Sequence, residues 1–168
     1  VFVESGRSSS SLVKFVSSTS ATQIGSYQVH VTRAATQATV TGSQTLGPGG
    51  LAASEKLSIV YGENETALVN LTAGMTMDEI VGAINQQLKD HGLPVAAGNH
   101  QGALRISTTA YGSAEKLSVS SDRAATDANQ LGIGTTAIES TGVDVAGTIN
   151  NIVATGAGRQ LTGPKGTI

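Results

Sequence analysis

Residues 76–94 constrain this chain more than any other stretch, because they admit one local structure. Thr76-Met77-Asp78-Glu79 spells a capping box. In that motif the Thr76 hydroxyl accepts from the Glu79 amide, and the Glu79 carboxylate reaches back to Thr76. Met77, Ile80, Val81, Ile84 and Leu88 then fall at i, i+3, i+4, i+7 and i+11, one continuous apolar stripe. Asp78 and Glu79 suit the positive end of the helix dipole, and Lys89 suits the negative end. Gly92 fits the left-handed position after the helix, and Pro94 prevents its continuation. Full burial of the five stripe residues is worth roughly 1.5–3 kcal/mol each, so the stripe must face a sheet. Asn85, just past the stripe, can bond neighbouring backbone.

The flanking sequence supplies that sheet. Leu57–Tyr61 and Ala67–Leu71 read as two strands joined by the polar turn Gly62-Glu63-Asn64-Glu65. Val95–Ala97, Ala103–Ser107 and Lys116–Ser120 read as three more, with turns at Asn99–Gly102 and Gly112-Ser113. Hairpin, helix and an antiparallel run of strands make a compact α+β unit. Earlier in the chain, Tyr27, Val29 and Val31 alternate with Gln28, His30 and Thr32, which predicts a half-buried strand. Leu12–Val16 has strand composition, and Ser8–Ser11 before it reads as a solvated loop. Ala34–Thr41 is strand or irregular. Asp122–Leu131 has room for a short helix. Val143–Ile152 and Gln160-Leu161 return to strand pattern, interrupted by Gly156 and Gly158.

Two small domains follow, α+β overall and mostly antiparallel β. Gly47-Pro48-Gly49-Gly50 is the best candidate for a crossing between them. The expected division is an α+β unit over 47–134 inserted into an outer β domain made of 1–46 and 135–168. The apolar start Val1-Phe2-Val3 and the Gly163-Pro164-Lys165-Gly166 turn near the end read as the flanks of a piece cut from a longer protein.

Composition then narrows the function. The 168 residues are nearly half Gly, Ala, Ser and Thr, with 3% aromatic and 13% charged residues. The charged share is about half the typical value. A net charge of −2 gives no basic footprint for nucleic acid. No apolar run approaches the roughly 18 residues of a membrane span. Cysteine is absent, which excludes disulfides and thiol ligands. The three histidines stand apart, His30 in a strand, His91 at the helix end and His100 in a turn. Neither a metal nor any other cofactor is expected. Gly132-Ile133-Gly134-Thr135-Thr136-Ala137 matches a dinucleotide string, but lacks the preceding strand and following helix, and reads as a flexible loop. Asn64-Glu65-Thr66 and Asn70-Leu71-Thr72 match the glycosylation pattern and read as turn and strand residues. No G-x-S-x-G elbow occurs, and no catalytic residue is assigned.

The order of several segments resembles one family. Gly25–Ala38, running Gly-Ser-Tyr-Gln-Val-His-Val-Thr-Arg-Ala-Ala-Thr-Gln-Ala, resembles a stretch of the flagellar filament cap family, FliD or hook-associated protein 2. Ala34 stands where that family usually has leucine. Leu57–Ser120 resembles the flagellin hook "IN" region, with Ile84-Asn85 in the helix and Gly102–Gly112 as its "G-x-L-R-I-S-T-T-A-Y-G" run. Gly142–Asn150 is similar to a second such element. The resemblance spans about residues 25–163. It implies a structural fragment of the bacterial flagellar cap, extracellular at the filament tip, exported without a cleaved signal peptide, and promoting flagellin assembly. Flagellin and other cap subunits are the implied partners of the full-length protein, whose terminal legs are coiled coils. The fragment itself, with no heptad segment, is expected to be monomeric or weakly associating. The structural residues are then Thr76, Glu79, Ile80, Ile84, Asn85 and Leu88, with "IN" a packing pair and no enzyme activity. The alternative is an extracellular adhesin or glycan-binding module.

Overall fold

Period-two alternation puts Leu57 and Ile59, Ala67, Val69 and Leu71, and Leu117 and Val119 on shared faces, and each of these residues is buried. The computed structural model of the chain describes residues 6–63 and 65–164. Val1–Val3, Asn64 of the hairpin turn, and Lys165 and Gly166 lie outside the described residues. The strands are β1 (Val29–Arg33), β2 (Thr39–Thr45), β3 (Glu55–Tyr61) and β4 (Glu65–Leu71). Helix α1 (Met77–Asp90) follows, then β5 (Val95–His100), β6 (Ala103–Thr108) and β7 (Lys116–Ser121). The chain closes with β8 (Ile138–Thr141), β9 (Ala146–Ile149), β10 (Ile152–Ala157) and β11 (Gln160–Thr162). The protein is α+β and mostly antiparallel β.

Two sheets and the helix form the body. One sheet has the order β2-β6-β5 and the other β4-β3-β7-β8, all antiparallel. Their inner faces meet in one apolar cluster that includes Val40, Leu57, Ile59, Leu104, Ile106, Leu117 and Val119. The stripe residues Ile80, Ile84 and Leu88 are fully buried in the same cluster. On one side the sheets are joined through β2 and β8, where the Thr39 amide donates to Ser140 Oγ at 2.8 Å. On the other side α1 packs against the two edge strands β4 and β5. The helix therefore fills a gap between two sheets instead of lying on one.

The third sheet, β1-β9-β10-β11, stands outside the body core, and none of its residues belongs to the apolar cluster. The chain crosses between the two parts at Thr36 and Val143, which form an isolated antiparallel bridge. Strands on both sides of residues 47 and 134 enter the body, because β2 pairs with β6 and β8 with β7.

Several local expectations are corrected. The Tyr27–Thr32 alternation does end in a strand, but it is not half-buried. Val29 and Val31 are 39% and 46% exposed. Leu12–Val16 forms no strand, and Leu12 is 94% exposed. Composition favoured extension there, but no neighbouring strand supplies the ladder bonds. Asp122–Leu131 is a series of turns and not a helix. It has no apolar stripe to bury, so nothing offsets the cost of helix nucleation. Gly156 does not interrupt β10 but lies within it, paired with Leu161.

Candidate functional site

Three constellations organise the polar chemistry of this fold, and the first is α1. Glu79 Oε2 accepts from the Thr76 amide and from its hydroxyl, both at 2.9 Å, and Thr76 Oγ1 accepts from the Glu79 amide at 3.5 Å. The Thr76 amide and then its hydroxyl hold the Glu79 carboxyl below the ordinary carboxylate range. At the other end Gly92 donates to Lys89 O at 3.0 Å and Leu93 to Leu88 O at 2.9 Å, the paired bonds of a Schellman motif. His91 is the cap residue, its Nδ1 2.8 Å from Gln87 O.

Asn85 does something different. Its Nδ2 donates to Ala97 O at 3.0 Å, and its Oδ1 accepts from the Ala97 amide at 2.8 Å. Ala97 lies on the edge strand β5. The Asn85 amide thus offers that edge the same donor and acceptor pair that another strand would. Thr76, Glu79, Ile80, Ile84, Asn85 and Leu88 all sit on or at the end of one helix. Thr76 and Glu79 meet each other, the three aliphatic residues enter the core, and Asn85 reaches the sheet.

The second constellation is the crossing between body and outer sheet. Asp144, next to the crossing residue Val143, accepts from the Ser113 amide at 3.0 Å, from the Ser113 hydroxyl, and from the Gly158 amide at 2.7 Å. These donors come from a body loop and from the hairpin between β10 and β11. The Ser113 hydroxyl first, then the two amides and the nearby Arg33, hold the Asp144 carboxyl below its ordinary value of 3.8. Arg33 Nε donates to Asp144 O at 3.3 Å. Arg159 stacks over the Tyr111 ring, 5.0 Å from its centroid. The approach is close enough that Gly112 has no room for a Cβ, which would stand 2.5 Å from Asp144 Oδ1 and 2.6 Å from Gly158 Cα.

The third constellation is a buried carboxylate. Glu55, 2% exposed, accepts from Ser121 Oγ at 2.6 Å and from the Leu131 amide at 3.2 Å. Gln130, its amide nitrogen turned toward Glu55, adds a third donor at 2.8 Å. This ties β3, β7 and the 130s segment together. The Gly132–Gly134 string belongs to that segment and is buried, not a loose loop. Gly132 O accepts from the Ser43 amide in β2 at 3.0 Å, and Gly134 O accepts from the Ser121 amide in β7 at 2.8 Å. The string stitches the two body sheets. Gly132 has φ +69°, and a Cβ there would stand 2.6 Å from the Gln44 amide nitrogen.

Sequence reasoning did not find Asp144, Ser113 or the Glu55 clamp, and no local pattern marks them, since their partners are 14 to 76 residues away. It could have found Asn150-Asn151. That pair takes φ of +50° and +65° in the β9–β10 turn, where paired asparagines signal a two-residue hairpin. Asn150 donates to Gln28 O through its amide and accepts from the Gln28 amide through Oδ1, both at 2.8 Å, which fixes the start of β1.

Among the described residues, no group of three or more His, Asp or Glu is placed to hold a metal ion. His30, His91 and His100 lie on β1, at the end of α1 and at the end of β5, on separate elements. Two shallow depressions of about 210 and 250 Å³ flank α1, the first lined by Gly47, Pro48, Thr76, Met77, Asp78 and Asn99 among others. No helix among the described residues is long and apolar enough to cross a membrane. The arrangement holds strands and loops in register.

No protein-family model matches the chain, and no curated protein matches it. Solved structures do. The chain is similar to the crystal structure of the flagellar cap protein FliD D2–D3 domains from Escherichia coli, with a TM-score of 0.52 and 17% identity, over 83% of this chain and 77% of that one. It is also similar to the FliD D2–D3 domains from Serratia marcescens, with a TM-score of 0.51 and 19% identity, over 78% of this chain and 76% of that one. The architecture of this chain, a helix-bearing two-sheet body with an outer sheet attached at a double crossing, is thus a FliD D2–D3-like fold.

Proposed function

We propose that this chain is a structural fragment of the bacterial flagellar filament cap, promoting flagellin assembly at the filament tip. The observation that carries the reading is the FliD-like fold over four-fifths of the chain, joined to the order of the Gly25–Ala38, Leu57–Ser120 and Gly142–Asn150 segments. In this reading the protein is extracellular and has no active site. Its full-length form works with flagellin and with other cap subunits through coiled-coil legs, and reaches the tip without a cleaved signal peptide. The fragment alone is monomeric or weakly associating. Thr76, Glu79, Ile80, Ile84, Asn85 and Leu88 hold the helix-bearing body together. A chain that must pass unfolded through an export channel benefits from having no cysteine and few large aromatics to lock it.

Deletion of the full gene tests the proposal. Unpolymerised flagellin released into the medium, with short or missing filaments, is the expected result. Filaments of normal length and number would overturn it.

A further inference from the structure

The two chain segments that run from the outer sheet into the body lose their pairing at one place. Arg33 pairs with Ala146 on the outer side, and Thr36 bridges to Val143 on the body side. Between these pairs Ala34-Ala35 and Asp144-Val145 belong to no strand. Val145 is tied to the outer sheet, because its amide donates to Gly158 O at 2.9 Å. That leaves Ala34, Ala35 and Asp144 to absorb a change of angle, the form a hinge takes. The apolar cluster does not span the break, since it holds no residue of the outer sheet or of residues 142–145. The core therefore does not fix the angle between the two parts.

The contacts that do fix it are polar and lie at the break itself. The Asp144 carboxylate bonds the body through the Ser113 amide and hydroxyl, and the outer sheet through the Gly158 amide. The hairpin that carries Gly158 is pressed onto the body loop, where a Cβ on Gly158 would stand 2.8 Å from Tyr111 O. Beside it Arg159 stacks on the Tyr111 ring. We propose that Ala34, Ala35 and Asp144 form a hinge, and that the Asp144 carboxylate and the Arg159–Tyr111 stack are the latch that holds the outer sheet at one angle to the body. Released, β1, β9, β10 and β11 swing as a unit, because the ladders that join them do not include Asp144. Ser113, Tyr111 and Arg159 are exposed, so water takes up their bonds when the latch opens, and opening strands none of them buried and unpaired. The inference goes beyond the cap reading and does not depend on it.

The chain has no cysteine, so two introduced ones report the angle without background. Val153→Cys on β10 and Lys89→Cys on α1 stand at exposed positions, and spin labels there give the distance from outer sheet to body by pulsed electron spin resonance. One narrow distance is expected for the chain with its latch intact. Asp144→Ala should broaden it and add a second distance. The body-side pair Ser113→Ala with Tyr111→Ala should broaden it less, because the Ser113 amide still donates, while every bond inside the outer sheet is left in place. Thr76→Ala weakens α1 without touching the latch and should leave the distance as it was. Cross-strand amide contacts between β1 and β9 and between β9 and β10 should persist in both latch variants. An unchanged narrow distance in either latch variant would overturn the proposal. So would loss of those cross-strand contacts, which would make Asp144 a support of the outer sheet's own fold. Equal broadening in Thr76→Ala, or a broad distribution already present with the latch intact, would overturn it too.

Discussion

Asn85 faces Ala97 with both ends of its amide, and the consequence of losing it is larger than a surface polar residue would suggest. Asn85→Ala leaves the Ala97 amide and carbonyl unpaired at a partly buried edge, at a cost of about 1–3 kcal/mol. Asn85→Asp keeps the acceptor but turns a carboxylate oxygen toward the Ala97 carbonyl, and should do no better. Urea unfolding midpoints at constant slope measure both. Asp144 gives a pH-dependent prediction. Its folded-state pKa lies below 3.8, the value it regains on unfolding. Its contribution to stability is therefore complete above the unfolded value and is lost as pH falls through the folded one. The stability difference between wild type and Asp144→Asn should be constant from pH 7 to about 5 and shrink below 3.8. A difference that stays flat down to pH 2 would show that the crossing does not depend on the charge. The role of Asn85 was legible in part, because its position off the stripe leaves it free to bond backbone. Asp144 was not, since a carboxylate's partners across a fold leave no trace in local spacing.

At the scale of elements, α1 was legible because every local signal agrees with its burial: cap, stripe, dipole charges and stop. Thr76→Ala removes the box and should cost about 1 kcal/mol, read as a lowered unfolding midpoint. The glycine string at 132–134 shows the opposite case. Its composition suggested mobility, while its carbonyls fasten two sheets and its aliphatic neighbours Leu131 and Ile133 are core residues. Gly132→Ala forces a left-handed φ on a residue with a Cβ, at a cost of about 1–2 kcal/mol before its contact with the Gln44 amide nitrogen is relieved. A calorimetric scan of that variant showing no loss of Tm would mean that the segment moves freely. The strand β1 carries the complementary lesson. Alternation shows which residues share a face, and only the rest of the fold decides whether that face is covered.

At the scale of the whole molecule, the apolar cluster lies entirely in the body, while the outer sheet and the segment leading into it bury few apolar side chains, among them Ala154 of β10 and Val145 just before β9. Local stability should follow that partition. Amide hydrogens of β9 and β10 should exchange before those of β3, β6 and β7, which open only with global unfolding. What the sequence concealed at this scale is that the helix stripe serves two sheets at once. Adjacent strands were enough to predict that it would be covered, but not that β4 and β5 belong to different layers. The helix holds both sheets through that placement, and Ile84→Ala tests it most directly. Followed by urea unfolding with amide exchange, the variant should lose about 2–5 kcal/mol, with β3–β4 and β5–β6 destabilised together. Unchanged unfolding midpoints, or loss confined to one of the two sheets, would contradict a helix that holds both.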